Sequence, residues 1–529
     1  MAAADDDDSR SRIEDTSEDS DSMDSESDHY GEHFLVVLRN LISGGQLLLH
    51  GGDDDDNYDS LVRTRPPKIK AKPLTKILDK SEYSQVTKQA CGLLDLTNRN
   101  RNVNNVTSLL TKRERGLFQG SKFSRGVKSK IANCYIPSEM CGGIDHNPGK
   151  VFCGIFSKDG NTFLTAAQGY HISDRQLRLF NSRDNSYEMF HMITARDVGW
   201  SVLDVAFSPN AQFFVYSTWS SSLHLCNTFD KREQPEPLVI ANTSRRFCLF
   251  SVEFSNDGKQ LICGANDGCL YVYDIERRRR TFKISSHESD LNRVTYADEA
   301  SHIIYTGGDD GLVKIWDTRT LDERDTKPVG ILAGHQDGVT YIDSRGDGRH
   351  LISNSKDQSI KLWDIRCLSN DATVREALKV VRDQPWDYRW QGVPRHMYDY
   401  KKLEGDTSIM TYKGHVVSKT LIRAKFSPAA TTGQRYIYSG CGFGRLMIYD
   451  SLTGKIVKQR KGHMSCVRDV AWHPTRNEIL TSSWDGMVGK WTYCKKNPHY
   501  HDKQEDLGRM PLRRSARLAA RQQEARDST

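Results

Sequence analysis

Between residues 149 and 492 the chain repeats one pattern. Short runs of β-branched and aromatic residues alternate with Gly, Asp and Asn turns. Seven segments end on a bulky or apolar residue at a corresponding place: Phe180, Cys226, Tyr273, Trp316, Trp363, Tyr449 and Trp491. Successive differences between these positions are 46, 47, 43, 47, 86 and 42. A repeat of roughly 40–45 residues is one supersecondary unit, which is stable only when stacked on neighbours. The double-length gap reads as one unit with an insertion, Cys367 to Leu403, because the stretch holds no Gly-His and no second Trp-Asp. Its Trp386, Trp390, Pro385 and Pro394 read as a structured loop.

The sharpest repeats are DGLVKIWDTR at Asp310–Arg319 and DQSIKLWDIR at Asp357–Arg366. Gly-His pairs open three repeats, at Gly334-His335, Gly414-His415 and Gly462-His463, and His287 stands alone at the equivalent place. This combination resembles the WD40 family and implies an all-β, seven-bladed propeller. The resemblance further implies hydrogen-bonded sets of His, Ser or Thr, Asp and Trp in each good blade. Carried over, these are His287–Thr306–Asp310–Trp316, His335–Ser353–Asp357–Trp363 and His463–Thr481–Asp485–Trp491. Repeat six departs, with Phe443 in place of Asp and Tyr449 in place of Trp. Repeats one to three lack most of the set, which predicts looser blades. A propeller has no free edge when first and last strands share a blade. The chain turns polar soon after Trp491, so the missing strand is expected upstream, near Lys130–Ile136.

Catalysis finds no support. A Ser, His and Asp recur together, but in phase with the repeat, whereas a catalytic triad need occur only once. Gly440–Gly444 looks like a glycine loop yet lacks a β-α crossover around it, so it reads as a hairpin turn. The 12 cysteines form no Cys-x-x-Cys pair, and Cys494, His499 and His501 lack a fourth ligand, so neither metal nor cofactor is expected. The most apolar early run, Phe34–Ile42, contains Arg39 and is far short of a membrane span. A reduced intracellular protein, nuclear and cytoplasmic, is the expectation.

Two features narrow the function. In both sharp repeats Trp-Asp is followed by Arg two residues on: Trp316-Asp317-Thr318-Arg319 and Trp363-Asp364-Ile365-Arg366. This resembles the WDxR motif of substrate receptors for cullin-4 ubiquitin ligases. Each Arg leaves the third strand on one rim, where its guanidinium offers up to five donors. The plain alternative is a solvated Arg paired with its own turn. The second feature is VTSLLTKRERGL at Val106–Leu117. As a helix it aligns Leu109, Leu110 and Arg113, with Leu117 beyond a Gly116 stop. It resembles the helical box that docks such receptors on the triple-propeller adaptor, and Phe34–Ile42 is its rival. The resemblance therefore implies a non-catalytic receptor. Arg319, Arg366, Asp317, Asp364, Leu109, Leu110, Arg113 and Leu117 would face the adaptor, and through it cullin-4 and the RING subunit. Substrate would take the opposite rim, where Trp219, Trp484 and Phe443 fall at turns that usually hold small residues, with Arg445 adding charge.

The flanks read as appendages. Residues 1–31 form a disordered acidic arm in which Ser17, Ser20 and Ser25 suit acidophilic kinases. Residues 32–129 read as linker with helices at 32–43 and 104–118; the acidic run Asp53–Asp56 and the basic Arg63–Lys80 belong to it. The propeller is placed at 130–494 and an Arg-rich tail at 495–529. A hydrophobic content of 37% fits sizeable non-globular parts. The rival function is a chromatin- or RNA-associated scaffold, resting on Arg277–Arg280 and on Arg513, Arg514, Arg517, Arg521 and Arg526. The net charge of +6 is small, and no aromatic platform interleaves with these arginines, so nucleic acid is not the expected partner.

Overall fold

The computed structural model describes residues 73–93, 107, 110, 111, 114, 115, 123–169, 175–232, 234–242, 247–399 and 402–494. The acidic arm with Ser17, Ser20 and Ser25, the 32–43 helix candidate and the Arg-rich tail lie outside them. So do Leu109, Arg113 and Leu117.

Among the described residues the strands form seven four-stranded antiparallel sheets. Blade one runs Lys150–Phe156, Thr162–Gln168, Gln176–Asn181, Glu188–Thr194, in sequence order from axis to edge. The inner strands are mostly buried, and Leu291–Tyr296 and Val467–Trp472 are buried throughout. Outer strands such as Glu188–Thr194 bury only alternate residues, the pattern of a strand with one wet face. All seven period marks are buried, from Phe180 to Trp491, because each packs between its own blade and the one before it in the ring.

The polar sets close as the resemblance implied. His287 donates from Nδ1 to Asp310 at 2.9 Å, and its Nε2 accepts from Thr306 at 2.8 Å. Thr306 in turn accepts the Trp316 indole N–H at 2.9 Å. Blades five and seven repeat this through Ser353 and Thr481. Blade six, lacking the Asp, solves the problem differently. His415 Nδ1 lies 3.2 Å from the Tyr449 hydroxyl, and its Nε2 donates 2.7 Å to Asn354 of blade five. The earlier blades are not left without polar ties: His224 bonds Asp197 at 3.0 Å in blade two and Tyr271 bonds Asp267 at 2.6 Å in blade three.

The ring is closed from upstream, but not where the sequence pointed. Residues 125–132 are helix rather than strand, because RGVKSKIA follows a Ser124 cap that accepts from Val127 N–H. The closing strand is Glu139–His146, paired from Glu139↔Thr492 to His146↔Met487 with two bulges. The described α-helices include α1 Lys76–Lys80, α2 Glu82–Ala90, α3 Arg125–Ala132 and α4 Asp371–Arg382. The stretch read as linker up to Lys80 thus already contains α1. Leu78 and Tyr83 are fully buried, and the Tyr83 ring meets His350 edge-on while the Arg345 guanidinium covers it at 4.6 Å. Gly433, at φ +66°, lets the end of α2 approach, since a Cβ there would meet the Ala90 carbonyl carbon at 2.7 Å.

The excursion after blade five's third strand runs on to Ile409, and the outer strand is Met410–Lys413. Asn370 caps α4 by accepting from Thr373 N–H. Val374, Ala377 and Leu378 then form one apolar stripe against Leu312, Ile331 and Ala333 of blade four.

Two outcomes follow. A chain starting at residue 147 should melt several degrees below one starting at 136, because only the latter keeps the closing strand; equal melting would refute this closure. Burial pushes the His415 imidazole down to about 4. The unfolded ring protonates near 6.5, so the stability this neutral His allows is lost as pH falls from 6.5 to 4, by up to about 3 kcal/mol. Asp343, which burial raises to about 6, titrates with the opposite sign. The readout is therefore the stability difference between wild type and His415→Gln, which should shrink over that window and stay constant above pH 7.5.

Candidate functional site

Antiparallel order assigns every turn to one of two rims. Turns after first and third strands share a lower rim; turns after second strands and the loops entering each blade share an upper rim.

On the lower rim Arg319 forks onto its own turn, with Nε 2.9 Å and Nη2 2.6 Å from the two oxygens of Asp317. These bonds hold the Asp317 carboxyl down at about 2. The Arg319 side chain is still 65% exposed. Arg366 makes the same fork onto Asp364 at 2.9 and 2.6 Å. Its Nη1 is also held by Glu82 of α2 at 2.9 Å, and the other Glu82 oxygen takes Arg349 at 2.7 Å. The two arginines thus share one orientation, but α2 occupies the second. α3 lies on the same rim, where Asn477 donates to the Ala132 carbonyl at 2.8 Å. Thr107, Leu110, Thr111 and Glu114 are helical, and Leu110 is exposed.

On the upper rim Trp219 and Trp484 belong to one aromatic arc. Trp484 packs on Phe152 at 5.6 Å, Phe152 meets Trp200 edge-on at 5.5 Å, Trp200 meets Trp219 at 6.2 Å, and Trp219 meets Phe250 at 6.2 Å. Trp200 is 49% exposed and Lys150 Nζ sits 4.6 Å over the Trp484 ring. Phe443 stays apart, half-buried against the cluster shared by blades five and six, and Arg445 is half-buried on blade six's third strand. Phe152 and Trp200 were missed from sequence. Trp219 and Trp484 carry a signal: with Asn266, Asp309, Lys356 and Gly442 they stand seven residues before a period mark, a place that opens on the upper rim. Nothing comparable marks Trp200, in the loop entering blade two, or Phe152, an ordinary inner-strand residue.

Beneath the arc the axis is filled by paired charges. Asp204 takes Arg423 at 2.8 Å and Arg293 at 3.1 Å, and Asp469 takes Lys425 at 2.7 Å and Arg423 at 3.1 Å. Burial raises Asp469, but Lys425 and Arg423 outweigh it and bring the carboxyl to about 2. Ser, His and Asp side chains of the blade sets are buried and spent on one another, as at His335 and Ser353. Of the basic run, Arg278 pairs with Glu236 and Arg280 lies 5.9 Å over the Tyr271 ring. Those arginines are engaged locally; the tail arginines lie outside the described residues.

The family model described as WD domain, G-beta repeat matches residues 242–274, 278–317, 326–364 and 454–492. A DDB1- and CUL4-associated factor 11 homolog of Caenorhabditis elegans is 40% identical over 380 residues, which cover 70% of this chain and 65% of that protein. A LEC14B protein of Lithospermum erythrorhizon is 37% identical, over 83% of this chain and 92% of its own. The DDB1- and CUL4-associated factor 11 homolog of Caenorhabditis briggsae is 36% identical, over 74% and 72%. By extent and identity, the chain belongs to the WD-repeat family that contains these nematode factor 11 homologs and the plant LEC14B proteins.

Proposed function

We propose that this chain is the non-catalytic substrate-recognition subunit of a cullin-4 RING ubiquitin ligase. Its lower rim would dock on the adaptor and its upper rim would hold the protein to be modified. A single Asp–Arg fork is what a solvated Arg paired with its own turn would form; the observation that carries this reading is its recurrence in successive blades on one rim, with both arginines partly exposed. Asp317 and Asp364 pre-orient Arg319 and Arg366 while leaving donors for a partner's carbonyls or carboxylates. The names of two nematode relatives, DDB1- and CUL4-associated, support the choice of partner. Helices gather on the same rim, which suits docking through a helical segment that includes Leu110. The chain then contributes proximity and orientation rather than a reacting group.

The forks and the aromatic arc can be tested apart. Arg319→Ala should weaken capture of adaptor and cullin-4 roughly tenfold with the melting temperature unchanged, because Arg319 ties only its own exposed turn. Arg366→Ala should add to the loss, with a small drop in melting temperature from releasing Glu82. Full recovery of adaptor by the double variant would sink the proposed interface. Separately, Trp219→Ala with Trp484→Ala should cut substrate capture roughly thirtyfold while adaptor capture persists. Undiminished substrate ubiquitination would move the recognition surface elsewhere.

A further inference from the structure

The upper rim is not uniform. Opposite the aromatic arc, blades four and five bring Asp309 and Lys356 to the mouth. Lys356 Nζ donates to Asp309 Oδ2 at 2.8 Å and lies 4.3 Å from the centre of the Tyr388 ring. Tyr388 arrives there from the insertion. α4 climbs blade four from the lower rim, ends beside Gly311, and the Tyr388 carbonyl accepts the Lys419 N–H at 2.7 Å. The other Asp309 oxygen accepts from Asn292.

Two more carboxylates face this place, Asp290 and Asp337, from the loops entering blades four and five. Asp337 is only 8% exposed. Its Oδ1 accepts the Gly338 N–H at 2.6 Å, while its Oδ2 is buried with no hydrogen bond among the described residues. Burial lifts the Asp337 carboxyl to about 7, a rise that Lys356 and the Gly338 N–H reduce and Asp357 and Asp309 increase. Burial likewise lifts Asp290 to about 6, with Asp309 adding and Lys356 and Arg389 opposing. Lys356 thus serves three carboxylates with help only from Arg389, which is itself shared with Asp387 at 3.1 Å. A buried oxygen without a donor is rare in a native fold, and the group that satisfies a carboxylate best is a cation. Lys356 shows the chemistry this place accepts: an ammonium held between a carboxylate and an aromatic face. Beside it the insertion presents Trp390, 81% exposed, on a segment anchored by the buried Trp386. A large exposed aromatic held on a fixed segment is a typical anchor for a protein partner.

We propose that Asp290, Asp309 and Asp337, under the insertion tip Asp387–Trp390, form a receptor for one basic side chain of a bound protein, with Trp390 covering an apolar neighbour of that side chain. The inference rests on the upper rim being the recognition face. A cation entering the site favours the carboxylate form of Asp337 and displaces its proton. Affinity should therefore fall as pH drops from 8 to 5.5.

The test uses the full chain and fluorescence anisotropy. The probe is a fluorescein-labelled Gly/Ser octapeptide with a central Arg-Leu pair; its control carries Glu-Leu. The expected result is saturable binding of the Arg-Leu probe, weaker by roughly tenfold at pH 5.5 than at pH 8, with the control at least tenfold weaker. Asp337→Asn should lower affinity at least tenfold and flatten the pH profile. Asp290→Asn, less buried and safer for folding, should act in the same direction. Trp390→Ala should weaken the probe and leave the pH dependence in place. Absence of saturable binding by wild type overturns the proposal, as does equal binding by Asp337→Asn and Asp290→Asn. Substrate capture separates the two readings. If it survives both Asp variants but fails in Trp219→Ala with Trp484→Ala, the upper rim stands as the recognition face and this receptor falls. If it survives all of them, the upper-rim reading falls as well.

Discussion

The closure of this ring through backbone hydrogen bonds depends on one pairing, Glu139–His146 against Met487–Thr492. Without it the third strand of blade seven would be an open edge, and the last blade would be held to the first only by side-chain packing and by hydrogen bonds such as Tyr187 to Glu478 and Arg468 to the Phe152 carbonyl. Its partners stand 353 positions apart in the chain, as Glu139 and Thr492 show. That separation is tolerable because the entropy of closing a loop grows only with the logarithm of its length. Once closed, the ring brings together groups from blades that are not neighbours. Asp204 of blade two binds Arg293 of blade four and Arg423 of blade six. These buried charges are costly alone and acceptable only as a fully paired set. The closing strand and the axial network therefore support each other: an opened ring would separate Asp204 from Arg423 and leave each buried without its partner.

Two pieces of non-repeating chain are attached to this frame, and both touch Arg366. α2 holds it from the N-terminal side through Glu82. The insertion begins at the next residue, climbs blade four as α4, and delivers Tyr388 to Lys356 on the other rim. The excursion is thus a strap between rims rather than a surface loop. Its apolar stripe on Leu312 and Ala333 fixes where the tip falls. A repeat ring has no intrinsic reason to distinguish one blade from another; the strap and α2 supply that distinction at blades four to six.

What the sequence revealed follows from where the constraint was local. The period marks and the His–Thr–Asp–Trp sets were legible because each set lies within one repeat and at constant offsets. Blade six shows the limit. His415 solves the loss of its Asp by reaching Asn354 in another blade, and no offset within repeat six announces that. The closing strand was misplaced for a similar reason. EMCGGIDH has two glycines and two bulges and buries little, so its strand character comes from its partner rather than from its own pattern. α1 and α2 are short and charged, and burial of Leu78, Tyr83, Ser84 and Thr87 by tertiary contact justifies them. At the candidate site, the forks at Arg319 and Arg366 were readable as a tandem motif. The tie to Glu82 was not, and neither was the route from Trp484 to Trp219 through Phe152 and Trp200.

The same offsets that specify the fold also separate it from function. The position six residues before a period mark carries the structural Asp in blades four, five and seven: Asp310, Asp357 and Asp485. The position one residue earlier faces the mouth and is free to vary, and it does: Trp219, Asn266, Asp309, Lys356, Gly442 and Trp484. Adjacent residues thus meet different constraints, one tied to a buried His and the other open to the rim. Their distribution around the ring is uneven. Aromatic residues gather at blades seven, one and two, whereas charge gathers at four and five under the insertion tip. A ligand crossing such a mouth meets an apolar half and a charged half, and only one direction of approach matches both. In a nearly symmetric ring, that asymmetry is what can give a bound segment a defined orientation relative to the lower rim.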